Sequence, residues 1–516
     1  MSSNMTYLQG ALILTIANLL TGILSFVYRI FLSKSIGAEG MGVYQLIIPL
    51  YMLFISLVSG GLSTSISKLV AENKAKANYR NIYKIIKVSL LMSALWSIAF
   101  SCIISFNADF FAREILKDDR TFISVIIFSP AIVFIALGAV LKGYFYGIEK
   151  IKIPAYLDII EKFIRLIVLI FTTNYLIDFG IEYVCAGAMT AMVAGEIISL
   201  LLLFILYRKN KYSLTSKTRT DSTLHIVSNI LMIVIPLSLS GAINTIMDML
   251  DAALIPAQLV KAGFSKQHSL SLYGQLTGMI LPLIYFPMII VGSLSTTLIP
   301  SAAFSYTSKN WVALNKKCND SLTIASVVGF AATIAFMMHP KELCDVLFNC
   351  PEADKLLFWC SISCVLEYWL FILMAIMNGI GLQKYVLEST IMNIVIMVIS
   401  IVVLMPIPKL NVYGYVLGFA LSSLFVVLRC LRILKKNTTI KFNMLRCIIK
   451  PLACSIPMLI IIWLSNHYIV SNTTFKYNMI LSYVIGLIVY FVLLLTSGTI
   501  KLHQVFNVLS FRIPKA

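Results

Sequence analysis

The amino-acid sequence predicts an all-α integral membrane protein of about fourteen transmembrane helices. They are expected to form two six-helix lobes in a parallel pseudo-twofold repeat, followed by two C-terminal helices. Three observations carry this. Of the 516 residues, 59% are hydrophobic and 12% charged, about half the charged share of a soluble domain. Apolar runs of about 18 residues or more recur along the whole length, each long enough to cross a bilayer core. Lys and Arg are spread unevenly over the loops between those runs.

In chain order, the spans are expected near 8–33, 43–67, 88–107, 121–141, 154–177, 183–207, 226–255, 272–299, 321–338, 356–378, 385–406, 412–428, 451–470 and 478–498. No basic leader or cleavage site precedes the first, so it is expected to stay as a helix. With the N-terminus inside, the cytoplasmic loops and tail hold 28 Lys or Arg and the outer loops nine. That asymmetry predicts a multi-pass cell-membrane protein with both termini cytoplasmic.

Two basic stretches, about 208–225 and 429–447, are the longest hydrophilic insertions. The first reads as a linker between an N-terminal lobe, 1–207, and a C-terminal lobe, 226–434. Residues 435–516 then hold the last two helices and a cytoplasmic tail. The repeat shows in Gly60-Gly-Leu-Ser-Thr-Ser-Ile-Ser against Gly292-Ser-Leu-Ser-Thr-Thr-Leu-Ile, 232 residues apart. Gly147-Ile-Glu-Lys and Gly381-Leu-Gln-Lys match at 234. Parallel repeats of this kind are a transporter architecture with the substrate between halves.

Composition also excludes classes. The net charge of +19 sits in short loops, where it reads as topology and contact with anionic membrane lipids, not nucleic acid. No segment is large enough for a soluble domain, and no nucleotide-binding Gly-x-x-x-x-Gly-Lys-Ser/Thr run occurs. Ten cysteines include no metal-ligand spacing, so no metal or other cofactor is expected. Cys344 and Cys350 either bridge within one loop or remain free thiols. No nucleophile–base constellation points to an enzyme.

Charge inside the spans is where function is sought. Asp158, Glu161, Lys162 and Arg165 stand at i, i+3, i+4 and i+7, one face of the fifth span. That face either lies among the headgroups with its charges paired, or walls a water-filled cavity. Arg29 near the outer end of span one either snorkels outward or binds a phosphate. Glu196 is deep in span six with no basic neighbour for ten residues; it is either a packed, protonated group or a coupling site. Asp248 and Asp251 stand i, i+3 in span seven, either solvated at the interface or ion-coupling. Glu367 and Glu388 are their second-half analogues.

Several stretches carry a family resemblance. Gly42-Val-Tyr-Gln-Leu-Ile-Ile-Pro-Leu-Tyr51 and Ser59-Gly-Gly-Leu-Ser-Thr-Ser-Ile-Ser-Lys-Leu-Val-Ala-Glu72 resemble the polysaccharide-export branch of the multidrug/oligosaccharidyl-lipid/polysaccharide (MOP) exporter superfamily. So do Lys142-Gly-Tyr-Phe-Tyr-Gly147, Pro154-Ala155, Ile160-Glu-Lys-Phe-Ile-Arg165 and Tyr273-Gly-Gln-Leu-Thr-Gly-Met-Ile-Leu-Pro-Leu283. The resemblance implies a MATE-like flippase fold with a central cavity and lipid-linked sugars as substrate. It also implies a role in spore cortex peptidoglycan assembly in an endospore-former, in the cell membrane or the forespore outer membrane. Arg29, Glu161, Arg165, Glu196 and Asp251 carry over as functional positions. Lys142 departs from the pattern's Arg, Tyr146 and Lys162 from its Gln, and Asp158 is an added acid.

The leading expectation is therefore alternating-access flipping of a lipid-linked oligosaccharide or peptidoglycan precursor, with Arg29 and Arg165 on its pyrophosphate. A cation-coupled drug or small-solute antiporter using Glu196, Asp248 and Asp251 is the alternative. A third is a non-transporting scaffold that recruits cortex-synthesis enzymes through its basic loops.

Overall fold

A computed structural model describes residues 7–210, 220–469 and 475–499. Those residues are almost wholly helical, and no strand occurs among them. In the first half run α1 (Tyr7–Ser59), α2 (Leu62–Ala75), α3 (Tyr79–Phe106), α4 (Ala131–Gly147), α5 (Lys152–Leu176), α6 (Ile181–Lys209) and α7 (Thr223–Lys261). In the second run α8 (Met288–Thr307), α9 (Trp311–Met338), α10 (Cys364–Gly379), α11 (Gln383–Leu404), α12 (Tyr413–Asn437), α13 (Lys450–Ile469) and α14 (Phe475–Thr496).

Ten described helical stretches are long and apolar enough to cross a membrane, and the bent pair Pro351–Ser361 with Cys364–Gly379 makes an eleventh. The first stretch, Thr15–Ala75, is 61 residues long and breaks at Gly37, whose φ of 65° is left-handed. Where they are described, the apolar stretches expected from the sequence fall on helix, some interrupted by turns as at Gly60-Gly61 and Ser129-Pro130. Residue 470, residues 211–219 of the expected linker and the tail from 500 lie outside the described residues. The burial pattern is inverted relative to a soluble protein. On α5, Phe171 is 73% exposed while Glu161 is 3% exposed, so the aromatic side faces lipid and the charged side faces protein.

The chain divides into two compact units, Met1–Met279 and Ile280–Ala516. Within the first, α4 packs on α2 and α3, α5 packs on α6, and α7 packs on α1. Within the second, α10 packs on α8 and α9, α11 on α12, and α13 on both α9 and α14.

The same local chemistry recurs 232 residues apart. In the first unit α2 ends at Ala75, Ala77 turns left-handed (φ 52°), and the Asn78 side chain caps α3 at 3.2 Å from the Asn81 amide. In the second α8 ends at Thr307, Lys309 turns left-handed (φ 53°), and Asn310 caps α9 at 3.0 Å from the Ala313 amide. A Cβ on Gly147 would lie 2.6 Å from Val70 Cβ and 2.8 Å from Ser67 O; one on Gly379 would lie 3.1 Å from Ala302 Cβ and 2.7 Å from Ile299 O. Both glycines therefore let two helices cross at backbone contact. This corrects the 234-residue match: Gly147 corresponds to Gly379, and the left-handed Glu149 (φ 65°) to Gly381 (φ 87°). The sequence match was led astray by glycines serving two different purposes, close packing and a positive φ. The register holds to the sixth helices, which begin at Ile181 and Tyr413. Cys344 and Cys350 are both buried free thiols.

Candidate functional site

The charged face of α5 is built into an ion network in the first unit, buried at Glu161 and Arg165 and half-buried at Asp158, Lys142 and Lys162. Asp158 accepts from Lys142 Nζ of α4 at 2.6 Å, and Lys142 lies 3.9 Å from Glu161. Glu161 accepts from Lys162 at 3.2 Å and from Arg165 Nη2 at 2.6 Å, and Arg165 Nη2 reaches Glu196 of α6 at 2.5 Å. Three carboxylates and three bases thus alternate across α4, α5 and α6. Such charges tolerate burial only when each is paired, since an unpaired ion there would cost several kcal/mol. The reading of Glu196 as an acid without a base holds along its own helix only. The partner comes from α5, and helix packing makes neighbours of residues 31 positions apart.

Gly195 explains how Arg165 reaches it. A Cβ there would stand 2.6 Å from Arg165 Cγ and 3.2 Å from the Glu161 carbonyl oxygen. The glycine before Glu196 opens the groove in α6 through which the arginine passes. No spacing in the sequence links Gly195 to Arg165, and Lys142, which departs from the family pattern's Arg, is the partner that compensates Asp158, the added acid.

Beside this network lies a cavity of about 190 Å³, room for roughly six waters. Ser25, Tyr28 and Arg29 of α1 line it, with Tyr44 beyond the Gly37 break, Lys162 and Arg165 of α5, and Met192 of α6. Arg29 donates from Nη1 to the Thr277 carbonyl at 3.3 Å. Among the described residues it makes no ion pair, unlike Lys162 and Arg165. Tyr28 is anchored by its hydroxyl on the Ala188 carbonyl at 3.1 Å. The network is balanced, so Arg29 leaves the cavity wall about one positive charge in excess.

The remaining candidates lie apart. Asp248 and Asp251 are on α7, do not line this cavity, and make no ion pair among the described residues. In the second unit Glu367 is buried against the Ser423 hydroxyl, and Glu388 pairs with Arg429 at 2.6 Å.

Comparisons with known proteins bear on the family and the fold. The family model described as polysaccharide biosynthesis protein matches residues 7–305. The chain belongs to that family. Over 429 residues it is 28% identical to stage V sporulation protein B of Bacillus subtilis (strain 168), covering 82% of each chain. Over 466 residues it is 24% identical to lipid II flippase MurJ of the same organism, covering 85% of this chain and 84% of that one. Among solved structures it is similar to lipid II flippase MurJ in an inward closed conformation, with a TM-score of 0.71 at 16% identity over 97% of this chain and 100% of that one. An inward-facing MATE family transporter of the MOP superfamily gives 0.64 at 16% identity, over 83% of this chain and 100% of that one. The fold is that of the MOP superfamily. This polysaccharide biosynthesis family member is a multi-pass membrane transporter, not an enzyme.

Proposed function

We propose that this family member flips a lipid-linked oligosaccharide or peptidoglycan precursor across the cell membrane. One observation carries the reading: Arg29 stands on the cavity wall with no carboxylate partner among the described residues, beside a network whose charges cancel. A guanidinium held by a single carbonyl keeps N–H donors for a pyrophosphate, which it can take with two parallel bonds. Arg165 is already shared between Glu161 and Glu196. Its role is to fix the wall's shape and field, with Lys162 and Asp158–Lys142 completing it, while Arg29 makes the first contact with the anion. The polyprenyl tail stays in the bilayer, and the lobes 1–207 and 226–434 rock about the site so that the headgroup changes sides. A lipid II-like substrate and a sporulation setting are supported by the names of two relatives, lipid II flippase MurJ and stage V sporulation protein B, and cortex-synthesis enzymes are the partners this reading adds. The excess of basic residues in alternate loops supports both termini on the cytoplasmic side.

The test is translocation of a labelled lipid-linked peptidoglycan precursor by purified protein in vesicles. Wild type should flip the headgroup and Arg29→Ala should not, at equal incorporation. Absence of flipping by folded wild type sinks the reading. A second reading, cation coupling, is favoured by Asp251, a half-buried acid of α7 without an ion pair among the described residues. If it holds, flipping depends on a sodium or proton gradient and Asp251→Asn removes that dependence.

A further inference from the structure

Arg29 owes its place to an irregular turn far along the chain. Residues Gly274–Ile280 form a π-helix, in which each carbonyl looks to the amide five residues on. For Thr277 that residue is Pro282, which has no N–H. The Thr277 carbonyl is thus left without its in-helix donor, and two side chains from α1 take it instead. Gln45 Nε2 donates at 2.7 Å and Arg29 Nη1 at 3.3 Å. The segment is pressed against α1, backbone to backbone at Gly274 and against the Met41 side chain at Gly278. A Cβ on Gly274 would meet Ala38 O at 2.1 Å and Gly42 N at 2.4 Å, and one on Gly278 would meet Met41 Cε at 2.9 Å. The Gln45 backbone carbonyl in turn accepts from the Tyr273 hydroxyl at 3.2 Å.

We infer that Gln45 is a positioning residue for the anion site, acting on Arg29 through the Thr277 carbonyl that Pro282 leaves open. The inference rests on the reading of Arg29 as the pyrophosphate-binding cation. Gln45 fixes where that carbonyl stands; the carbonyl takes one arm of the guanidinium; the other arm is thereby aimed into the cavity. Gln45 itself is not among the cavity-lining residues, so it acts through Arg29 and not on the ligand.

The experiment is a double-mutant cycle on the full-length protein in detergent, with a short prenyl pyrophosphate as probe and binding measured by calorimetry. Arg29→Ala should weaken binding about a hundredfold and Gln45→Leu about tenfold. Gln45→Leu placed on Arg29→Ala should weaken it no further, since a group acting only through Arg29 has nothing left to position. A merely structural role for Gln45 predicts the same tenfold loss in both backgrounds. Pro282→Ala is the second variant and keeps the test open if Gln45→Leu fails to fold. It returns an N–H that can close on Thr277, and should also cost about tenfold in the Arg29 background alone. Wild type that binds while Gln45→Leu and Pro282→Ala bind equally well overturns the positioning role and leaves the function standing. Folded wild type that binds no probe overturns the function reading, and the positioning role falls with it.

Discussion

The fifth and sixth helices of the two halves are the same architectural elements filled with opposite chemistry. At 232 residues beyond Asp158, Glu161, Lys162 and Arg165 stand Thr390, Asn393, Ile394 and Met397. Beyond Gly195 and Glu196 stand Val427 and Leu428. In the first half a base on α5 meets an acid on α6 with side chains 10% and 14% exposed. In the second an acid on α11, Glu388, meets a base on α12, Arg429, at 40% and 31% exposure. The backbone repeat was kept, down to caps and left-handed turns. The multi-residue ion network of the fifth and sixth helices is found in the first half and not at the matching positions of the second, where the buried acid Glu367 lies on α10 against Ser423. Fold and site are thus separable. Packing glycines and capping asparagines hold the shape in both halves, and the ion network belongs to the half that carries the cavity.

Several substitutions break or sharpen that contrast. Largest is Arg29→Ala, which should reduce headgroup translocation in vesicles about a hundredfold with membrane abundance unchanged. Next is Arg165→Ala, which leaves Glu161 and Glu196 facing each other. It should cost about 3–5 kcal/mol, read as a fall in the thermal midpoint in detergent. Copying the second half into the first, as Arg165→Met with Glu161→Asn and Glu196→Leu, should recover most of that midpoint while transport stays absent. Recovered transport would mean that the network has no role beyond stability.

Gly195→Val, copying Val427, drives a side chain into Arg165 and should cost about 1–3 kcal/mol in the same melt, with slower translocation. Smallest is Glu388→Gln. Its pair is more exposed, so the stability change should be about 0–1 kcal/mol and translocation should stay within about twofold of wild type. A large loss there would show that the second half carries charge chemistry as well.

What was legible in the sequence follows from what is local. Apolar runs report spans because bilayer thickness sets a length, and i, i+3, i+4, i+7 spacing puts Asp158, Glu161, Lys162 and Arg165 on one face of any helix that contains them. The family resemblance implies functional positions at Arg29, Glu161, Arg165, Glu196 and Asp251, of which Arg29 and Arg165 line the cavity and Asp251 does not.

The pairings were not legible, because each joins residues on different helices. Lys142 meets Asp158 across α4 and α5, Arg165 meets Glu196 through the gap at Gly195, and Arg29 meets a carbonyl 248 residues away. The sequence by itself determined a helical membrane protein with a repeat and a charged fifth span. Which charges pair, and which one lines the cavity without an ion pair among the described residues, was decided only by tertiary structure. Neutralisation inside a membrane acts over a few ångströms between side chains, and no spacing along one helix records that distance.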